Sequence, residues 1–319
     1  MKYDLILSGY VSLDRIIKTR TPVRYGYTSI IENSDNTRVY YGGCSTNIAY
    51  LAARLGLKAL PLIRLGGEDY RATGFYEYLK SAGVCLEAVE IVPNETTSNC
   101  YLLADNNNNH IALFYPGAMD GKYAKPVRDE FFARARLGVL TVGSYEDNLE
   151  FYSKCLKHNV PLVFGVKCDF DAFPEEFFKK ILLASKIIFT NRGEREEIER
   201  LFGFAEITDL FAQGNAEIIV TTLGKNGSRY FQKTGAGIIS GTVAAAEFGK
   251  VVDTTGSGDA YIAGFLYGYL QGLAVEECCK MGSVLSSFII EAAGSTTNAP
   301  AREELEKRYR EFLLQEGRK

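Results

Sequence analysis

The feature that most constrains this chain is an alternation. Short β-branched or aliphatic runs at 5–9, 59–64, 138–142, 161–166, 186–190 and 217–221 take turns with helical patterns at 45–55, 69–81, 149–157, 175–183 and 194–201. In the first helical pattern Ile48, Leu51, Ala52 and Leu55 fall at i, i+3, i+4 and i+7, on one face. A helix after each strand carries the chain back across the sheet, so consecutive strands run parallel. The spacing predicts an α/β sandwich, with a mostly parallel sheet covered by helices on both faces.

Two stretches interrupt the alternation. Ile17 to Tyr41 has no helical period and contains Thr21-Pro22 and Glu32-Asn33-Ser34-Asp35-Asn36. Glu87 to Gly117 holds β-rich runs at 99–104 and 110–115 around a polar tip, Asp105 to Asn109, which reads as a hairpin with a loose loop. Both read as β-excursions that form a small β-sheet lid over one edge of the main sheet. The expected division is a body of residues 1–16, 42–88 and 118–319 and a lid of residues 17–41 and 89–117. Beyond Glu217 the pattern continues with a turn at Thr222-Leu223-Gly224-Lys225-Asn226-Gly227 and short strands at 228–231 and 237–243. Three more helices are expected, to about Leu270, at 275–291 and at 301–314, the last with Leu305, Tyr309, Phe312 and Leu313 on one face.

Lys plus Arg number 36 and Asp plus Glu 39, a net charge of −3 in 319 residues. Such a balance argues against nucleic acid or an anionic membrane as the main partner. No apolar run reaches the ~18 residues that span a bilayer, and Asp4 comes too early for a signal peptide. None of the seven cysteines form C-x-x-C, and there are two histidines, so no zinc site is expected. Free thiols in a reducing cytoplasm are the simplest reading.

The sharpest chemical signal is Val251-Val252-Asp253-Thr254-Thr255-Gly256-Ser257-Gly258-Asp259-Ala260, a strand-like pair, a glycine loop and a helix start. Backbone N–H groups of such a loop and the positive end of the helix make an anion site. A structural turn with a helix cap has the same outline; the carboxylate separates the two. An acid beside an anion site repels the ligand unless it is there to take a proton, and the helix end favours its ionised form. The string is not a Rossmann loop, because Tyr261 stands where the third glycine belongs, and no P-loop string occurs.

Four weaker constellations accompany it. Gly42-Gly43 and Asn47 open the first helical pattern, where a ligand could lie against backbone and Asn47 could meet a hydroxyl. Asp14 follows the first strand, near the strand end where α/β sheets bind ligands. Asn191 and Glu194 stand at a strand end, spaced either to hold waters of a magnesium ion or to form a capping box. Thr222, Gly224 and Gly227 line a turn that suits either a nucleotide or a plain hairpin.

Their order is more telling. Gly9-x-x-x-x-Asp14, Gly42-Gly43-x-x-x-Asn47, Asn191-x-x-Glu194, Thr222-x-Gly224-x-x-Gly227 and Asp253-Thr254-x-Gly256-x-Gly258-Asp259, with Gly66-Gly67-Glu68-Asp69, resemble the ribokinase-like (PfkB) family of carbohydrate and nucleoside kinases over nearly the whole chain. The resemblance implies an α/β/α sandwich with a small lid. It implies ATP and Mg²⁺, with K⁺ in many members, and a small-molecule acceptor. Asp259 is then the general base, and Gly256, Ser257 and Gly258 form the anion hole. Asn191 and Glu194 belong to the magnesium–phosphate region, with Glu194 acting through water. Thr222, Gly224 and Gly227 lie along the nucleotide; Asp14, Gly42, Gly43 and Asn47 hold the acceptor; Asp253 helps a monovalent cation. A homodimer through the lid follows by the same analogy.

Ser257 departs from the usual alanine, and Cys44 and Thr46 depart from the Gly-Gly-Lys-Gly-Ala-Asn of ribokinases. The missing lysine, and a string at 109–119 that resembles adenosine-kinase-like members, favour a nucleoside over a free sugar. Aromatic residues among Tyr40, Tyr41, Phe114 and Tyr115 are expected to face the acceptor. The competing readings are a free-sugar kinase of ribose or fructose type and a non-catalytic sensor of nucleotide or sugar; the intact Asp259 loop argues against the sensor. The two β-excursions argue against a lidless hydroxymethylpyrimidine kinase.

Overall fold

The structure, a computed structural model, describes residues 2–105 and 110–316. Eight strands form the main sheet, in the order β14 (Gly237–Val243), β13 (Ser228–Thr234), β12 (Ile218–Thr222), β11 (Ile187–Asn191), β10 (Leu162–Gly165), β9 (Ala135–Leu140), β1 (Tyr3–Ser8) and β4 (Ala59–Leu62). From β12 to β4 every pairing is parallel; β12–β13 and β13–β14 are antiparallel. Alternate residues divide between two cores, because successive side chains leave a strand on opposite faces. Leu5, Leu7, Ile187, Phe189, Ile218 and Val220 enter one core with the helices Cys44–Arg54, Ser257–Leu270 and Val275–Ile289. Ile6, Ile188 and Ile219 enter the other with Tyr145–Lys157, Glu175–Ala184 and Arg192–Phe202. This is the α/β/α sandwich that the alternation predicts.

Strand order positions the site. The chain passes from β1 to β4 on one side, then reverses to β9 and onward on the other. Such a reversal leaves a crevice beyond the carboxyl ends of the strands.

A four-stranded sheet, β3 (Tyr40–Gly42), β2 (Ser12–Thr19), β7 (Asn99–Asp105) and β8 (His110–Tyr115), stands apart from the main one. Its β2 starts at Ser12, before the Ile17 at which the excursion was placed from sequence. The β7–β8 hairpin pairs Cys100 with Phe114. Of its expected tip, residues 106–109 lie outside the described residues. A third, two-stranded sheet pairs β5 (Arg64–Gly66) with β6 (Glu90–Val92), so the run 59–64 is shared between two sheets.

Other differences have local causes. The helix expected over 69–81 is two helices, Tyr70–Thr73 and Phe75–Ser81, broken at Gly74 with φ +70°. A left-handed residue ends a helix. The helix expected from 149 starts at Tyr145, because Ser144 caps it by accepting from the Asp147 N–H. Val251 and Val252 are not a strand; both are about half exposed, and the Val252 N–H donates to the Ile290 carbonyl.

Candidate active site

The site assembles where β1 hands the chain to the smaller sheet. Gly9 has φ +149°, and a Cβ there would sit 2.0 Å from Thr141 Oγ1, so only glycine permits this approach to the end of β9. Asp14 lies in β2, buried, and accepts a 2.5 Å hydrogen bond from Ser12 Oγ. Burial pushes its carboxyl up to about 6, with the Ser12 hydroxyl pulling the other way. Gly42 backs directly onto that carboxylate, since an added Cβ would meet Asp14 Oδ2 at 2.0 Å. Gly43, φ +96°, presses against the Tyr10 carbonyl and starts the helix that carries Asn47.

Asn47 Nδ2 donates to Asp259 Oδ2 at 2.7 Å, joining two motifs 212 residues apart. Asp259 is the third residue of the Ser257–Leu270 helix, behind Gly256 with φ +77°. The Ser257 N–H turns back to the Thr254 carbonyl at 3.2 Å. Among the described residues the N–H groups of Gly256 and Gly258 meet no acceptor. Orphan donors at a helix start are an anion site. Burial pushes the Asp259 carboxyl up to about 6; hydrogen bonds from Asn47 and Cys44 and the Lys167 charge oppose it. The helix end was expected to favour the ionised form, but burial outweighs it.

Asn191 and Glu194 form the capping box: Asn191 Oδ1 accepts from the Glu194 N–H at 2.9 Å, and Glu194 Oε2 accepts from the Asn191 N–H at 2.8 Å. The structural alternative for this pair is thus realised. Both residues also line a cavity of about 210 Å³ together with Asp259, Cys44, Lys167 and Thr222. Burial raises the Glu194 carboxyl. Thr222, Gly258 and Tyr261 continue from this cavity into a larger, mostly apolar one of about 460 Å³, walled by Gly224, Gly227, Phe248 and Ile290. That size suits a small organic ligand. Gly227, φ +81°, lies where a Cβ would meet the Val243 carbonyl at 1.9 Å.

Asp253 stands apart from the cavities. Its Oδ1 accepts from the Thr255 N–H and Oγ1, at 3.0 and 2.8 Å, and its Oδ2 from the Gly294 N–H at 3.0 Å. It ties the glycine loop to a neighbouring segment.

The expected aromatic wall is corrected. Tyr41 stacks on both Phe75 and Tyr78, with centroids at 4.8 and 4.3 Å, and donates to the Thr73 carbonyl. Tyr40 is buried and donates to Asp35, while Tyr115 donates to Glu95. Phe114 packs against Tyr10, with centroids 4.6 Å apart and the rings tilted by 51°, and the Tyr10 carbonyl is the one that Gly43 faces. Sequence reasoning did not single out Tyr10 and Lys167; each lies two residues past the end of a main-sheet strand, β1 and β10, and position at a strand's carboxyl end was the available signal.

A buried carboxylate at a helix start with unpaired backbone donors, next to a ligand-sized cavity, is an arrangement that suits an α/β phosphotransferase acting on a hydroxyl group. The chain belongs to the pfkB family of carbohydrate kinases, which matches residues 5–302. It is 30% identical to the nucleoside kinase of Methanocaldococcus jannaschii over 279 residues, 88% of each chain. It is 28% identical to the nucleoside kinase of Methanothermobacter thermautotrophicus over 310 residues, 96% of this chain and 95% of the relative. The solved M. jannaschii structure, an archaeal member of the ribokinase family, superposes with a TM-score of 0.83 at 27% identity, over 97% of this chain and 99% of that one. The Burkholderia thailandensis nucleoside kinase solved with inosine superposes at 0.82 and 22% identity, over 96% and 97%, a likeness of fold. Among the described residues no helix is long and apolar enough to cross a membrane.

Proposed function

We propose that this kinase transfers the γ-phosphate of ATP to a primary hydroxyl of a nucleoside. The observation that carries this reading is the contact of Tyr10 with Phe114, rings tilted by 51°, on the sheet that carries Asp14; the half-exposed Phe114 ring offers an aromatic face. A base can stack on such a surface, at roughly 1–3 kcal/mol per contact in nucleic-acid systems. The two archaeal relatives support it. Asp14 and the Gly42–Gly43 backbone grip the sugar hydroxyls, and Asn47 orients Asp259 toward the one that reacts. The larger cavity, with Thr222, Gly224 and Gly227, takes the nucleotide.

In the transfer, the acceptor oxygen bonds to the γ-phosphorus, its proton passes to Asp259, and the bond to ADP breaks with its electron pair leaving on ADP. The N–H groups of Gly256 and Gly258 face the oxygens that gain charge; Ser257 contributes the turn that aims them. Among the described residues no group of three or more metal-ligating side chains occurs. That fits magnesium, which is bound chiefly through phosphates and water. Glu194 would hold it through water, since only Oε2 of its carboxylate is taken by the capping box. When bound, the ion neutralises phosphate charge.

Potassium would act through the loop that Asp253 ties down. The four-stranded sheet, built from β2 and β3 with β7 and β8 of the segments 17–41 and 89–117, serves as a lid that excludes water, and its exposed face is the proposed homodimer contact. Seven unpaired cysteines agree with a cytoplasmic setting. The test is ADP release over a panel of nucleosides and free sugars. A ribose or fructose optimum would install the sugar-kinase reading instead.

A further inference from the structure

We propose that Lys167 is a catalytic residue of this kinase, whose ammonium group binds the γ-phosphoryl group during transfer. The proposal rests on ATP occupying the cleft, and not on which acceptor is used.

Lys167 follows the end of β10 and lines the 210 Å³ cavity with Cys44, Asn191, Glu194 and Asp259. It is the one basic side chain among the described residues that line it. Two carboxylates, Asp259 and Glu194, face the same space, so a polyphosphate entering it meets like charge at close range. Something must offset that repulsion before the γ-phosphorus can approach the proton acceptor. The ribokinase string carries a lysine where this chain has Cys44. Here burial pushes the Cys44 thiol well up, so position 44 supplies no charge of either sign.

Lys167 is placed to supply it. Its charge acts on Asp259, Cys44 and Glu194. Yet among the described residues it makes no hydrogen bond or ion pair with any of them, and its side chain is exposed. A structural lysine beside two acids would close on one of them. An ammonium held near both and bonded to neither is available to a third anion. Lysine binds phosphate as a compact point charge with several donors. In the transfer step it gives up no proton; it donates hydrogen bonds to γ-oxygens while the proton goes to Asp259 and the electron pair leaves on ADP.

Calorimetric titration of wild type, Lys167→Met and Lys167→Arg with ADP and with the non-hydrolysable β,γ-imido analogue of ATP tests this without any acceptor. Lys167→Met is expected to weaken the analogue by about tenfold or more, the worth of a hydrogen bond between charged groups, and to leave ADP within about twofold. Lys167→Arg should recover most of the discrimination. On the best acceptor, Lys167→Met should lower kcat by about 10²–10³, like the loss of one oxyanion donor. Equal losses for both nucleotides, or none for either, would overturn the assignment. If no nucleoside is turned over but the analogue still discriminates, the acceptor reading fails and Lys167 stands.

Discussion

Asn47 and Asp259 meet through a 2.7 Å hydrogen bond between the starts of two helices packed on one face of the sheet. The contact ties Asp259 to the helix that follows the Gly42–Gly43 turn, and Gly42 backs onto Asp14. Asp14 lies in β2 and Gly42 in β3, so this contact joins the glycine loop of the main domain to the four-stranded sheet.

Asp259→Asn should keep the fold and nucleotide affinity but lower kcat by roughly 10²–10⁴, the usual worth of a general base. Steady-state kinetics with saturating ATP and acceptor checks it. Turnover near the wild-type rate would remove Asp259 from the mechanism.

Asn47→Ala removes a donor that holds the Asp259 carboxyl down against burial. The carboxyl should then titrate above about 6, and the acid limb of the kcat–pH profile should move to higher pH. Cys44 and Lys167 continue to pull down and Asp14 to push up, so the limb shifts without vanishing. An unmoved limb would mean that another group controls it.

The same carboxyl governs a stability trend. In the folded chain it titrates at about 6 against an ordinary value of 3.8. Between those values the folded state binds more protons than the unfolded one, so its contribution to stability falls as pH rises. Above about pH 6 the buried charge is fully destabilising; below about 4 it is absent from both states. Asp259→Asn should therefore melt higher than wild type at pH 7–8, by roughly 2 °C per kcal/mol gained in a chain of this size. That advantage should shrink towards pH 4. Thermal melts across the range decide; an advantage that grows on acidification contradicts the assignment.

Turnover should rise when potassium replaces tetramethylammonium at matched ionic strength and magnesium. Asp253 already tethers the loop through Thr255 and Gly294, so the cation would complete a loop that is largely preformed. Equal rates in the two salts would leave Asp253 as a tether alone.

The sandwich was legible in the sequence because each helix and strand buries its face locally, as Ile48, Leu51, Ala52 and Leu55 do. The glycine loop was legible because its anion donors and its acid are consecutive. The Asn47–Asp259 contact was not, because its partners are 212 residues apart and only packing joins them. Tyr40 and Tyr41 lie on opposite sides of one short strand, and sequence could not say that both would be claimed by neighbours, Asp35 on one side and Phe75 and Tyr78 on the other. Lys167 belongs to no motif. Its significance comes from the cavity that β10 delivers it to, together with a neutral Cys44 across that space.

The measurement that bears most directly on the function is kcat/KM for adenosine, cytidine, inosine, ribose and fructose under one set of conditions. At least one nucleoside is expected to exceed both sugars, because a base can lie against Tyr10 and Phe114. If ribose or fructose surpasses every nucleoside by about tenfold, a difference of about 1.4 kcal/mol, the aromatic pair is not a base platform and the acceptor is a free sugar.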